Sequence, residues 1–183
     1  EFHGHVCPGL AMGYRVARYV KAHYPRSEDE ELVCIAENKS CSVDAVQFLL
    51  GCTAGKGNLI VIDNGKQAFT FYSRDQGKAL RIYFKGDVFA GMDGLRQKMA
   101  AGNLTPAEKK EMEGMRSRIM EQILASRDED LLDVREAEIP APDKARIYPS
   151  LVCQECGERF MEIMGRTAEG KVLCKGCFEK KVC

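Results

Sequence analysis

Apolar and polar positions repeat along the chain with two different periods, which separate predicted helices from predicted strands. Apolar residues recur at helical spacing in four stretches, so we predict helices over residues 8–23, 42–50, 86–102 and 106–126. Short runs rich in branched and aromatic side chains predict strands over residues 32–37, 59–63, 68–72 and 79–84. Helices and strands are therefore expected to share one domain.

The turns between the strands predict how the sheet is connected. Asn64-Gly65, between the second and third predicted strands, is a strong hairpin signal, and Asp75-Gln76-Gly77 separates the third strand from the fourth. Consecutive hairpins indicate an antiparallel meander rather than a doubly wound sheet. We therefore predict the α+β fold class, with an antiparallel sheet packed with helices.

The beginning of the chain carries the first candidate chemistry. If this segment is extended, His3, His5 and Cys7 share one face, since strand side chains repeat every two residues. Pro8 is suited to the first position of a helix, which places Cys7 at the helix N-cap. Backbone amides and the helix dipole favour a thiolate there. A thiolate beside two imidazoles is a donor set suited to zinc or a similar transition-metal ion.

A second cysteine-bearing helix start follows the first predicted strand. A serine on either side of Cys41 can cap this helix, which places Cys41 at its N-terminus and Asp44 in its first turn. Gly51 is expected to end this helix, because the residue after a helix often has a left-handed conformation that glycine favours. Cys52 follows directly. The first two helices are thus each expected to begin at a cysteine.

Two glycines of the first helix predict a close contact with another segment of the chain. Gly9 and Gly13 lie four residues apart in the first helix and would let another backbone approach closely.

The loop over residues 52–58 contains two glycines and carries Lys56. It lacks the spacing of a nucleoside-triphosphate loop and does not lead from a strand to a helix, so we exclude a triphosphate site. Its amides and one cation suit a smaller anion or a substrate carbonyl.

We expect the two helix starts to converge on one core metal site. Cys7 and at least one of His3 and His5 would meet Cys41 or Cys52 there, leaving a coordination position for water or a small ligand. The candidate catalytic residues at such a site are Cys7, Cys41, Asp44 and Lys56. The alternative is that Cys41 and Cys52 fill the core on either side of their helix.

The C-terminal part carries two Cys-x-x-Cys pairs. Two such pairs place four thiolates around one tetrahedral zinc ion, with no open position for chemistry; the ligands are Cys153, Cys156, Cys174 and Cys177. Their order, with Gly157 in the first turn and a short helix after the second pair, resembles a treble-clef zinc finger. The preceding segment is charged and rich in proline, so we predict a core domain over residues 1–135, a linker over 136–150 and the finger over 151–183. No role is assigned to Cys183.

Composition and charge limit the partners and the cellular compartment expected for this protein. The 27 basic and 27 acidic residues balance, so no net charge favours nucleic acid or an anionic membrane as a partner. The longest apolar runs are too short to cross a bilayer, and we recognise no signal peptide. Cysteine pairs in such a chain are typical of metal ligands rather than disulfides. We therefore expect a protein of the reducing cytoplasm.

Three motifs together resemble one family: FHGHVCPG at residues 2–9 with Gly13, CSVDAVQ at 41–47, and GCTAGKGNL at 51–59. The family is that of the FmdE subunits of the tungsten or molybdenum formylmethanofuran dehydrogenases, with their stand-alone relatives, and the resemblance covers about residues 1–130. It implies an α+β core, often followed by a treble-clef zinc finger, and a His/Cys cluster that binds metal. Carried over by position, that cluster comprises His3, His5, Cys7, Cys41 and Cys52, with Asp44 and Lys56 nearby.

Three functions stay open on the sequence. The chain is a metal-binding accessory or subunit of a molybdenum- or tungsten-type redox enzyme, a small metal-dependent enzyme in its own right, or an interaction module in which only the finger binds metal. The first is favoured because the sequence shows ligands without a complete set of nucleophile, base and orienting residue. We also expect a homodimer that pairs through a helical surface bearing Met112, Met115 and Met120.

Overall fold

The computed structural model describes residues 2–85, 88–89 and 91–182. The chain divides into two compact units, Glu1–Lys144 and Ala145–Cys183, and each is described by itself. In sequence order the first unit contains α1 (Pro8–Lys21), β1 (Leu32–Ala36), α2 (Ser42–Leu50), β2 (Leu59–Val61), β3 (Ala68–Ser73), β4 (Lys78–Phe84), α3 (Asp93–Ala100), α4 (Pro106–Ala125), the single turn α5 (Asp128–Leu131) and β5 (Leu132–Ala137).

The first unit is an α+β domain, as the periodicity predicts. Its five strands form one sheet in the order β2-β1-β3-β4-β5. The pairings of β1 with β3, β3 with β4 and β4 with β5 are antiparallel, whereas β1 pairs with β2 in parallel. The predicted turn before Lys78 is present, with the Gly77 amide donating to the Ser73 carbonyl at 2.9 Å. The predicted hairpin of β3 with β4 is therefore confirmed, whereas β5, which follows α3, α4 and α5, is a further antiparallel strand that the hairpin signals did not predict.

The predicted hairpin between β2 and β3 is wrong, because β1 lies between these two strands. Helix α2 carries the chain from β1 to β2, and a loop then passes around the carboxyl end of β1. In that loop the amide of Ile62 donates to the carbonyl of Ala36 at 2.9 Å, and the amide of Lys66 donates to the carbonyl of Glu37 at 3.0 Å. Gly65 has the left-handed φ of 69° that the turn requires. The Asn-Gly turn thus reverses the chain without pairing the strands that flank it.

The hydrophobic core lies between the helices and one face of the sheet. Alternate residues of β1, β3 and β4 point to this face, and Cys34, Phe71 and Ile82 are completely buried on it. Cys34 is thereby a core residue, as its place within a strand predicts. Val16 of α1 and Val46 of α2 cover it from the helical side.

Helices α1 and α2 pack closely because small residues face each other. A Cβ atom added to Gly13 would lie 2.2 Å from the Ser42 carbonyl oxygen, and one added to Gly9 would lie 3.2 Å from the Cys41 Cβ. The predicted close approach at these two glycines is confirmed. This packing places the N-terminus of α1 beside the N-terminus of α2.

A buried charge joins α1 to the end of α4. Arg15 is completely buried, and its guanidinium donates to the carbonyls of Ile123 and Leu124 and to the Asp128 carboxylate, 2.6 Å from Nη2. These acceptors satisfy a charge that would otherwise be costly to bury. Arg18 contacts the same carboxylate at 2.9 Å.

The methionines of α4 do not form the expected free surface. Met112 is only 3 % exposed and belongs to the core, while Met115 and Met120 are partly buried against it.

Helix α3 is shorter than the predicted helix over residues 86–102, since it spans only Asp93–Ala100. The predicted helical positions Gly86, Asp87 and Ala90 lie outside the described residues.

The second unit contains two small hairpins and a helix. The hairpins pair β6 (Ser150–Val152) with β7 (Arg159–Met161) and β8 (Arg166–Ala168) with β9 (Lys171–Leu173); α6 (Lys175–Val182) follows. This order of knuckle hairpin, second hairpin and helix is that of a treble-clef finger. Across the described residues, no helix combines the length and apolar character needed to cross a membrane.

Candidate metal centres

Three metal-ligating side chains of the first unit come together where α1 and α2 begin. One ligand atom each from His3, Cys7 and Cys41 lies within 4.8 Å of the other two. Cys7 caps α1, and its Sγ accepts the Leu10 amide at 3.4 Å. Cys41 directly precedes α2. The glycine packing of the two helices therefore brings both cysteines to one place, as the sequence predicts.

Asp44 orients the imidazole of His3 toward the two cysteines. His3 Nδ1 lies 2.7 Å from Asp44 Oδ2, and His3 Nε2 lies 3.7 Å from the Cys7 Sγ. With Asp44 ionised, the proton belongs on Nδ1, which leaves the Nε2 lone pair facing the cysteines. The hydrogen bond that His3 donates to Asp44, and then the hydrogen bond between His3 and Cys7, raise the pKa of His3. A carboxylate behind a histidine is the usual support of a metal-ligating imidazole.

The two thiols of this cluster differ in acidity. Burial raises the pKa of Cys7, but the Leu10 amide and contacts with His3 and Cys41 outweigh burial, so the pKa is lowered. Burial and the neighbouring Cys7 raise the pKa of Cys41. Cys7 is therefore the first of the pair to ionise. A metal that takes both thiolates would displace protons on binding.

The donor set of one imidazole and two thiols fits a transition-metal ion. Cys₂His sites hold catalytic zinc with one coordination position left for water or substrate. His3, Cys7 and Cys41 supply three ligands, so an ion held by them has room for a fourth ligand from outside the chain. The set is equally suited to other borderline or soft divalent ions.

The remaining predicted residues of the core cluster lie in other positions. His5 is exposed, and its ring lies beside that of His3, tilted by 41° with centroids 4.5 Å apart, outside the group of three ligands. Cys52 follows the opposite end of α2, roughly 13 Å away along the helix axis. It is completely buried with its Sγ 3.4 Å from the Leu32 carbonyl oxygen, and burial raises its pKa to about 12. The structure therefore brings His3, Cys7 and Cys41 together and leaves Cys52 in the core.

The loop carrying Lys56 has a structural role. The ammonium of Lys56 donates to the carbonyls of Ser27 at 3.2 Å and Glu28 at 3.1 Å, far from the core cluster. Completely buried Asn58 donates to the carbonyls of Leu32 at 2.9 Å and Gly51 at 3.2 Å. Sequence reasoning did not identify this role of Asn58, although asparagine in a glycine-rich turn is a signal for such bonding.

Two cavities flank the core cluster. One of about 620 Å³ lies beside His3 and Asp44 and is mainly apolar, with Phe2, Tyr14 and Phe48 among its lining residues. The other, of about 410 Å³, contains Cys7 and Cys41 together with Arg96 and Arg116. Sequence reasoning missed both arginines, because they lie on later helices with no motif around them.

The second unit holds a separate cluster of four cysteines. The Sγ atoms of Cys153, Cys156, Cys174 and Cys177 all lie within 4.8 Å of one another. The backbone amides of Cys156 and Cys174 lower the pKa of Cys153 to about 6, and the Cys174 amide lies 3.3 Å from the Cys153 Sγ. Gly157, which has a left-handed φ of 76°, makes the tight turn after the first Cys-x-x-Cys pair. Four thiols suit one structural zinc ion with no open position.

Both units match known families. Residues 2–133 match the family described as FmdE, molybdenum formylmethanofuran dehydrogenase operon. Residues 146–182 match the prokaryotic dksA/traR C4-type zinc finger, which supports structural zinc at the four cysteines.

Two relatives match nearly the whole chain. A probable S-adenosyl-L-methionine-binding protein of Archaeoglobus fulgidus is 28% identical over an alignment 190 residues long. The alignment covers 97% of this chain and 50% of the relative. The chain thus spans about half the length of that protein. A tungsten formylmethanofuran dehydrogenase FmdE-like protein from Syntrophus aciditrophicus, known from a crystal structure, superposes with a TM-score of 0.62 and 25% identity over 98% of this chain and 87% of that one. With the family match covering most of the chain, the protein belongs to the FmdE family and carries a C4 zinc finger at its C-terminal end.

Proposed function

We propose that the chain is a metal-binding accessory or subunit of a molybdenum- or tungsten-type redox enzyme. In this proposal His3, Cys7 and Cys41 hold a transition-metal ion that can take one ligand from outside the chain. The observation that carries the core site is the meeting of three ligand atoms within 4.8 Å, with Asp44 supporting His3 from behind. The link to a molybdenum or tungsten enzyme is supported by the family description and by the name of the Syntrophus protein.

Metal content per chain tests the core site. We expect two metal ions in the wild-type protein, one in Cys41→Ser and one in Cys174→Ser. Cys52→Ser is the matched control, because Cys52 is a free, buried thiol outside the cluster, and we expect it to retain two ions. Retention of two ions by Cys41→Ser, or one ion in the wild type, would refute the core site.

Partner capture separates the accessory role from the stand-alone enzyme. We expect the metal-loaded protein to bind the subunits of a molybdenum or tungsten oxidoreductase from the same organism, and Cys7→Ser to bind them more weakly. Catalysis by the purified metal-loaded chain without any partner would favour the stand-alone enzyme instead.

A second candidate function is binding of an S-adenosylmethionine-type sulfonium compound, as the name of the Archaeoglobus relative states for that protein. The observation that favours it is the apolar cavity of about 620 Å³ beside the core cluster, a volume that suits a ligand of this size. Its aromatic side chains Phe2, Tyr14 and Phe48 present faces that attract a cation.

Titration calorimetry tests this candidate with two ligands that differ in charge. We expect S-adenosylmethionine to bind more tightly than S-adenosylhomocysteine, which lacks the positive charge on sulfur. Phe48→Leu should reduce that difference, because it removes an aromatic face and keeps an apolar side chain. Absence of heat with both ligands would refute the candidate.

A further inference from the structure

The cavity on the cysteine side of the core cluster has a chemical character of its own. Its volume is about 410 Å³, and Cys7 and Cys41 line it together with Arg96 of α3 and Arg116 of α4. A ligand lying in this cavity would therefore be bordered both by the metal-ligating cysteines and by the two arginines. This placement relates the arginines to the core site.

Among the described residues, the two arginines of this cavity have no carboxylate beside them in its lining. None of the described residues lining the cavity is acidic. Arg96 lies over the Phe89 ring, 4.6 Å from its centroid, and Arg116 contacts the Met99 sulfur at 3.6 Å. Within the described part of the chain neither forms an ion pair, in contrast to Arg15.

The charge of the proposed metal site does not offset the positive charge of these arginines. Two thiolates, from Cys7 and Cys41, neutralise a divalent ion, so the charges on Arg96 and Arg116 are left for the ligand. Guanidinium groups bind carboxylates with paired, charge-assisted hydrogen bonds. Arg96 and Arg116 are exposed, so a neutral ligand would leave their charges to solvent, whereas a carboxylate can pair with them.

Methionines form much of the apolar lining of this cavity, to which Ser40 and Gln67 add polar groups. Met12, Met92 and Met112 line it and are all nearly completely buried. Methionine side chains adapt to irregular apolar shapes. The walls therefore suit a short hydrocarbon body between the metal end and the cationic residues.

We propose that the ligand reaching the core metal is a small organic carboxylate. One donor atom of this ligand binds the metal beside Cys7 and Cys41, its apolar body contacts the methionines, and its carboxylate is bound by Arg96 and Arg116. This inference rests on the proposed core metal site and adds the class of compound that the site takes.

Two probe thiols of matched length test the proposal on the full-length, cobalt-loaded protein. The probes are 3-mercaptopropionate and 3-mercapto-1-propanol, which differ in the carboxylate. A thiol that enters the open coordination position changes the sulfur-to-cobalt absorption, whereas the closed finger offers no such position. We expect the carboxylate probe to bind about tenfold more tightly than the alcohol, a ratio that corresponds to ~1.4 kcal/mol.

Arginine variants assign the preference to the cavity. Arg96→Gln and Arg116→Gln should each reduce the preference several-fold, and the double variant should abolish it. Arg118→Gln is the matched control, since Arg118 lies on the same helix as Arg116 and is exposed like Arg116, but does not line the cavity. Circular dichroism checks that each variant folds.

The outcomes distinguish this inference from the function on which it rests. Cobalt content of one ion per chain, located in the finger, would refute the core metal site itself. A core cobalt whose spectrum responds equally to both probes, or to neither, would overturn the carboxylate proposal. Equal loss of preference in Arg118→Gln would also overturn it, because the effect would then reflect general surface charge.

Discussion

Asp44 acts on the core cluster through the imidazole of His3, which makes its contribution testable at a single residue. We expect Asp44→Asn to weaken metal binding at the core site by about 10- to 100-fold, because the amide holds the imidazole less firmly and lowers its basicity. Competition with a chromophoric chelator measures this affinity. Asp75→Asn, an exposed turn residue, is the control, and equal affinities for the two variants would contradict the orienting role.

Asp128 gives a prediction about pH. Burial raises its pKa, but Arg15 and then Arg18 outweigh burial, so the pKa lies below its usual value. The stability it contributes is therefore present above the unfolded-state pKa of about 4 and is lost as the pH falls through the lower folded-state pKa. We expect Asp128→Asn to reduce the free energy of unfolding at pH 7 by about 2 kcal/mol, since it leaves the buried Arg15 without its counter-charge.

Urea unfolding at several pH values checks this sign. The difference between wild type and Asp128→Asn should shrink as the pH falls below about 4, because the wild-type carboxyl is then neutral as well. Asp130→Asn removes an exposed ion pair with Arg127 and should change stability by less than about 1 kcal/mol. A difference between wild type and Asp128→Asn that stayed constant with pH would rule out the linkage.

At the scale of elements, the packing of α1 on α2 sets the position of the two cysteines. We expect Gly13→Ala to lower the free energy of unfolding by about 2 kcal/mol, because its methyl group would overlap the backbone at Ser42. The helices must separate to admit it, so core metal affinity should fall as well. Gly114→Ala, in open space on α4, should instead stabilise by about 0.5–1 kcal/mol. Matching effects of the two variants would show that the close packing is unimportant.

The fold was predictable where local signals decide it. Cys7 caps α1 as expected, and Gly51 ends α2 with a left-handed φ of 71°. The parallel pairing of β1 with β2 was not predictable from these signals, because a turn such as Asn64-Gly65 fixes a reversal of direction and does not fix which strand becomes the neighbour.

The candidate site was predictable where two helix starts bring its residues together. Cys7 and Cys41 were expected there because each begins a helix. Cys52 follows Cys41 closely in sequence, but the length of α2 separates the two thiols. Arg15 carried a signal that was missed, since it stands among the buried positions of α1 and a charge there requires partners.

At the scale of the whole molecule, the finger is expected to depend on its metal for folding. A unit below ~40 residues rarely buries enough apolar surface to fold alone, so zinc binding and folding should be one event. We expect Cys174→Ser to release zinc and unfold Ala145–Cys183 while Glu1–Lys144 stays folded. Hydrogen exchange measured by mass spectrometry would show rapid exchange confined to the second unit. Retained protection there would contradict metal-dependent folding.

We also propose that the chain pairs with a second copy, since soluble oligomers are most often twofold dimers. Light scattering at micromolar concentration should then give about twice the chain mass of 20.4 kDa. Met112 is buried within the chain, so it does not contribute to the pairing surface. A mass equal to one chain would refute the dimer.

The contact between Arg15 and Asp128 joins positions 113 residues apart, which has a consequence for the order of assembly during synthesis. His3, Cys7 and Cys41 leave the ribosome before the finger cysteines, and α1 can pack on α2 early, but buried Arg15 gains its counter-charge only after α4 and Asp128 have emerged. In the finger, Cys153 and Cys174 lie only 21 residues apart, so four thiols can close around zinc soon after they appear. We therefore expect the finger to bind zinc soon after its own synthesis, and the core metal site to reach full stability only once α4 and Asp128 have been made.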